Sequence, residues 1–172
     1  MYLCCGPSGS SKTTLANKVY TEQIASSRTC VICSTDSVWQ ESSPEQKYLF
    51  SLNGLSIAHK LNQIKCEVAM QQKIDCIIID NTNLDYQSFS PYIELAIKNE
   101  YEISFLVPNT TWLTNKEILF QKNVHNVPMK TIERQIEKFN KLDFADLNNK
   151  IEVMRETYRL SGIFQSVFKE DN

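Results

Sequence analysis

Glycine is nearly absent from this chain: four occur in 172 residues, at 6, 9, 54 and 162. Glycine serves where backbone must approach a partner closely or take positive φ, so Gly6 and Gly9, falling together, mark the place to look. Long apolar runs are missing too. The longest, such as Cys76-Ile77-Ile78-Ile79, fall far short of the ~20 residues of a membrane-spanning helix. No basic segment leads into an apolar stretch near the start, so no secretory signal is read. An intracellular setting, cytoplasmic or nuclear and without a membrane, is expected. There is no excess of positive charge, the formal net charge being −2. Proteins that coat duplex nucleic acid are usually basic overall, so any such contact here must be local. Histidine occurs only at His59 and His125, and the lone C-x-x-C of Cys30 and Cys33 has no second ligand pair, so zinc is not expected. The six cysteines are expected as reduced, buried thiols.

What is present is ordinary globular composition, 42% hydrophobic and 22% charged. The length suggests one domain over residues 1–172, a size that buries roughly 70% of its unfolded surface without disulfide or metal staples. No repeat, linker or low-complexity tract is visible. Tyr2-Leu3-Cys4-Cys5, Thr29–Ser34, Asp75–Asp80 and Tyr101–Val107 read as strands. The third is apolar throughout and so expected to be covered on both faces. Between and after them, helices are expected over Lys12–Ile24, from Ser43-Pro44-Glu45, from Leu55 to about Gln72, and from Ser90-Pro91 to about Asn99. Others follow over Thr114–Asn123 and Pro128–Leu142, with a last one through Leu147, Ile151, Met154 and Tyr158. Strands alternating with helices predict an α/β class with a mainly parallel sheet of four to five strands. The first strand begins almost at Met1, which leaves room for residues ahead of it in a longer form.

The segment Gly6-Pro7-Ser8-Gly9-Ser10-Ser11-Lys12-Thr13-Thr14 lies between a strand and a helix. It follows the Walker A pattern G-x-x-x-x-G-K-[ST], except that Ser11 stands at the second glycine. In such a loop backbone N–H groups curl around phosphate oxygens, and the helix N-terminus adds partial positive charge. Lys12 would reach the β- and γ-phosphates of ATP, and the Thr13 hydroxyl would bind Mg²⁺. A Gly/Ser turn that merely caps a helix would look similar. The flanking strand and helix, and the extra Gly9, favour the phosphate reading. If position 11 needs positive φ, serine there costs something like 1 kcal/mol.

In a parallel sheet all carboxyl strand ends share one edge, where ligands bind. Asp36 follows the second strand and Asp80 the third, so both are expected there. Phosphoryl transfer uses one acid to hold Mg²⁺, often through water, and one to accept the proton of the attacking hydroxyl. Asp80 suits the first role and Asp36 the second. Singly, each has a plainer reading: Asp36 as a helix cap, Asp80-Asn81 as a turn. Lys116, Lys122, Lys130 and Arg134 cluster after the fourth strand. That segment, about 112–130, is expected as a lid, with a C-terminal helix and tail at about 143–172; a solvated helix face is the plainer reading of its charges.

The sequence resembles the P-loop polynucleotide 5′-hydroxyl kinases of the bacteriophage type, and still more closely the kinase domain of the Nedd-four-binding-protein-two-like family. The resemblance spans roughly residues 2–142. It rests on Gly6–Leu15, Ser34-Thr35-Asp36, Ala58–Gln63, Ile-Ile-Ile-Asp-Asn-Thr-Asn-Leu at 77–84, and Lys122-Asn123-Val124-His125-Asn126-Val127-Pro128 leading to Ile132 and Arg134. It implies a P-loop NTPase-type three-layer fold with a helical lid. Lys12 and Thr13 would bind ATP and Mg²⁺, Asp36 would be the general base, and Asp80 and Asn83 would lie at the Walker B-like edge. Lys122 stands where the family's lid arginine is normally found, and lacks its planar fork. Asn126 stands at a family glycine, a mild change. Trp39 occupies the place of an arginine for substrate phosphate, and would stack on a base or serve as a packing residue. His59 and His125 match family positions and are read as structural. The first expectation is therefore ATP-dependent transfer to a nucleic acid 5′-hydroxyl, with Asp36, Trp39, Asn83 and Arg134 near the acceptor. A small-molecule P-loop kinase is the alternative. Ser11 and Lys122 motivate a third reading, an ATP-binding module with little turnover that works through a protein partner.

Overall fold

The computed structural model describes residues 1–41 and 51–170. Along the chain the elements are β1 (Tyr2–Cys4), α1 (Lys12–Ala25), β2 (Cys30–Cys33), α2 (Thr35–Glu41), a short 3-10 turn (Leu52–Gly54), α3 (Leu55–Gln71), β3 (Cys76–Ile79), α4 (Tyr86–Lys98), β4 (Ser104–Leu106), α5 (Lys116–Lys122), α6 (Met129–Phe139) and α7 (Phe144–Glu170). The expected helix start at Ser43-Pro44-Glu45 lies outside the described residues.

The strands form one sheet in the order β2-β3-β1-β4, with every pairing parallel. All four carboxyl ends therefore lie on one edge. Side chains alternate across the sheet with period two. Leu3, Cys33, Ile77 and Ile79 pack with Cys66 and Met70 of α3, Phe89 and Tyr92 of α4, and Leu147 and Ile151 of α7. Cys4, Cys76 and Ile78 face the other way, onto Ala16 and Val19 of α1. The result is three layers, α/β/α, with β3 buried along its whole length. All six cysteines are free, and burial pushes the Cys4 and Cys5 thiols up to about 12. Among the described residues no helix is long and apolar enough to cross a membrane.

Several boundaries differ from the sequence expectations. Residues after β2 form α2, so Asp36 sits in the first turn of a helix. The fourth helix begins at Tyr86, not at Ser90-Pro91. Asp85 and Ser88 form a reciprocal capping box, and Pro91 is tolerated inside the helix. The fourth strand, Ser104–Leu106, is shorter than Tyr101–Val107. The last helix runs to Glu170, through most of the segment read as a tail. On α3 the stripe Leu61, Ile64 and Val68 is exposed, and the face toward the sheet is Ala58, Asn62, Cys66, Ala69 and Met70. Mostly small side chains on that face let the helix lie close to β2 and β3.

One polar network crosses this packed region. The Asn62 amide donates to the Tyr92 hydroxyl at 2.9 Å, and Asn81 donates to the same oxygen at 3.4 Å. Asn81 then accepts the Thr35 backbone N–H at 2.9 Å. Tyr92 is 1% exposed and Asn62 fully buried. Tyr92→Phe removes the acceptor and leaves a buried amide unpaired, which costs about 1–3 kcal/mol. The expected result is a lower urea midpoint with an unchanged slope.

Candidate active site

The loop from Gly6 to Thr14 hangs between the central strands. Cys5 N–H donates to the Leu106 carbonyl at 2.9 Å, and Gly6 N–H donates to the Thr82 carbonyl at 3.0 Å. Ser10 N–H closes back on the Pro7 carbonyl at 3.2 Å. Gly9 has φ 80°, and a Cβ there would lie 2.2 Å from the Leu119 carbonyl oxygen of α5. The lid helix thus crosses the loop backbone to backbone. The Trp112 indole donates to the Gly9 carbonyl at 3.4 Å, and Ser8 N–H donates to Gln135 Oε1 of α6 at 2.8 Å. Ser11 has φ 73° and ψ 28°, a left-handed conformation at the position where the pattern carries glycine.

Between loop and lid lies a cleft of about 310 Å³, lined by Ser8, Gly9, Ser11 and Thr14 of the loop and by Lys12, Thr13, Asp36, Asp80, Lys122 and His125. A larger cavity of about 450 Å³ lies among Met1, Lys73, Asp75 and Tyr101 and includes no phosphate-loop residue. It opens at the amino edge of the sheet, so parallel-sheet logic favours the smaller cleft.

Lys12 is 9% exposed, and its ammonium donates to the Pro7 carbonyl at 2.8 Å. Burial holds it below the ordinary lysine range, partly offset by the Asp80 charge. Burial also holds the Asp80 carboxyl above the usual carboxylate range, against the Thr13 hydroxyl that hydrogen-bonds it and the charge of Lys12. Burial thus disfavours both charges. A polyphosphate beside Lys12 and a divalent cation at Thr13 and Asp80 would each relieve one of them, so the residues present fit both groups.

Asp36 is set from the opposite wall. Its N–H donates to the Ser34 hydroxyl at 3.2 Å, and Thr35 is tied to Asn81. The Thr35 hydroxyl also meets His59 Nδ1 at 3.2 Å. From the lid, His125 Nε2 lies 3.4 Å from Asp36 Oδ2. Lys122 reaches the cleft while its ammonium rests 4.6 Å over the Trp112 ring centroid.

Three residues expected near an acceptor do not line this cleft. Asn83 is 1% exposed, takes φ 47°, and donates its amide to the Cys4 carbonyl at 2.8 Å, so it ties β1 to the end of β3. Trp39 packs its ring against Gly54, where a Cβ would lie 2.8 Å from it. Arg134 lines a separate groove with Asp85 and Lys138. Conversely, His125, Asn81 and Asn123 matter more to the site than sequence reasoning allowed. The signal for Asn81 was its place directly after Asp80.

A family model described as an AAA domain matches residues 1–142. The chain belongs to this AAA domain family. It is 33% identical over 141 residues to NEDD4-binding protein 2 of Homo sapiens, covering 82% of this chain and 8% of that protein. The chain therefore spans a small part of that relative's length. Among solved structures it is similar to "Structure of the Pnkp1/Rnl/Hen1 RNA repair complex", with TM-score 0.61 and 18% identity over 83% of this chain and 46% of that one. "Structure of Pnkp1/Rnl/Hen1 complex" is a second, with TM-score 0.54 and 19% identity over 74% and 40%. At such identities the likeness is one of fold. Family and fold agree on an AAA-family α/β domain built around a phosphate-loop motif.

The strain at Ser11 is measurable. Ser11→Gly relieves a left-handed penalty of about 1 kcal/mol, partly offset by the greater freedom of glycine in the unfolded chain. A rise in thermal midpoint, and nucleotide affinity at least equal to wild type by calorimetry, are expected.

Proposed function

We propose that this domain transfers the γ-phosphoryl group of ATP to the 5′-hydroxyl of a nucleic acid. The observation that carries the proposal is that Lys12, Thr13 and Asp80 share one cleft with Asp36, which reaches it from a different element. In this reading the loop backbone and Lys12 bind the ATP phosphates, and Thr13 and Asp80 hold Mg²⁺. Bound there, Mg²⁺ would neutralise charge on the ATP phosphates. Asp36 accepts the hydroxyl proton. The hydroxyl oxygen bonds to the γ-phosphorus, the bond from that phosphorus to the β–γ bridging oxygen breaks, and ADP leaves with the electron pair. Lys122, on the lid, faces the charge in transit. Aspartate is a weak base for an alcohol, so most of the rate gain comes from positioning and electrostatics. A nucleic acid acceptor draws support from the motifs at 77–84 and 122–128, and from the RNA repair assembly named for the first structural relative.

A second reading has its own support. Ser11 is strained, and Lys122 stacks on Trp112 at 4.6 Å. Both favour an ATP-binding module with little turnover, acting through a protein partner. A metabolite hydroxyl as acceptor is the third case, with the same ATP-binding half.

Labelled γ-phosphate decides among these, offered with Mg²⁺ to a single-stranded 5′-hydroxyl oligonucleotide. Label should appear on the oligonucleotide. Lys12→Ala should weaken nucleotide binding at least tenfold, and Asp36→Asn should keep binding while cutting transfer by about 10²–10⁴-fold. Nucleotide binding that depends on Lys12, without label on the oligonucleotide, rejects this acceptor and favours the second or third reading.

A further inference from the structure

We infer that Trp112 is a positioning residue for Lys122, its ring holding the lysine ammonium at the phosphate cleft for the terminal phosphate of a nucleoside triphosphate; this rests on the ATP-binding half of the reading above. Two contacts of one side chain carry it. The Trp112 indole N–H donates to the Gly9 carbonyl of the phosphate loop at 3.4 Å, and the Lys122 ammonium lies 4.6 Å from the centroid of the Trp112 ring. Lys122 lines the cleft together with Ser8, Gly9, Lys12 and Thr13. The indole therefore joins the loop that would cradle phosphate to a cation that would meet it.

The backbone around both residues is tied to the same loop. Pro108 Cδ and Leu113 Cδ1 lie 3.6 and 3.7 Å from where a Cβ on Gly6 would sit. The Trp112 carbonyl accepts the Asn115 N–H at 3.0 Å, and Asn115 Oδ1 caps α5 by accepting the Ile118 N–H at 3.0 Å. Leu119 of α5 meets Gly9 backbone to backbone. Lys122 is the last residue of that helix, where the helix dipole favours a cation.

The planar fork of arginine is pre-organised, whereas a lysine ammonium sits on a flexible four-carbon stem. Position 122 carries lysine, so its aim has to come from a neighbour. An aromatic face attracts the ammonium without neutralising it, which leaves the charge available to phosphate. At an exposed site such a contact is worth about two- to fivefold in an equilibrium. The consequence is expected as a preference for triphosphate over diphosphate, because the terminal phosphate is the group Lys122 would meet.

The experiment uses the full chain with Mg²⁺. Calorimetry gives the affinities of ADP and of the β,γ-imido analogue of ATP for wild type, W112L, W112F, K122M and W112L/K122M. Trp112→Leu should lower the triphosphate-over-diphosphate preference about two- to fivefold, with ADP affinity within about twofold. Trp112→Phe keeps an aromatic face and should lie between leucine and wild type. Lys122→Met should lower the preference at least as much as Trp112→Leu. In that background Trp112→Leu should lower it no further, because the ring acts through the ammonium. A preference unchanged or raised in W112L, phenylalanine no better than leucine, additive losses, or equal loss of both nucleotides would each overturn the inference. Equal loss would mark Trp112 as a prop of the loop alone, and a raised preference would mark a ring that withholds the lysine from nucleotide. Transfer of label to the oligonucleotide is scored separately. The expected pattern without label upholds the role of Trp112 and rejects the transfer reading, and label without the pattern does the reverse. A wild type that binds neither nucleotide overturns both.

Discussion

A backbone carbonyl of the lid occupies the space where a side chain at residue 9 would begin. The 2.2 Å between a Cβ on Gly9 and the Leu119 oxygen leaves no room for any other residue. This close crossing brings α5 down onto the phosphate loop. From it follow the roof of the cleft, the approach of Lys122, and the reach of the 123–127 turn toward Asp36. The scarcity of glycine in the chain fits this picture: backbone freedom is concentrated where backbone must meet backbone.

Much of this was legible beforehand because it depends on short-range rules. The parallel sheet followed from strands alternating with helices, and the loop from its spacing between β1 and α1. The left-handed Ser11 followed from the glycine the pattern expects there. What escaped was set by tertiary contact. Leu61, Ile64 and Val68 have helical periodicity as good as that of Ala58, Asn62 and Cys66, yet the small residues face the sheet. Periodicity finds a helix but does not choose between two apolar faces. Asn83 reads as a site residue by motif, but its amide serves the Cys4 carbonyl 79 positions away. Pro91 looked like a helix start, because proline in a first turn is common; the Asp85–Ser88 capping box three to six residues earlier outweighed it.

The charges of the cleft are arranged against folding and toward binding. Lys12 and Asp80 are both buried, and burial disfavours the charged form of each. Their mutual attraction and the Thr13 hydroxyl offset only part of that. A buried pair held this way is weak as a source of stability. It becomes favourable when further charges of the right sign arrive, which is a reason for a folded domain to keep it.

Neutral amides hold much of both walls of the site. Asn81 and Asn62 meet on the Tyr92 hydroxyl behind Asp36, and Asn123 ties up the turn that carries His125. Neutral hydrogen bonds fix geometry without adding a field that would compete with phosphate charge. The 3.4 Å approach of His125 to Asp36 is one place where the two walls meet.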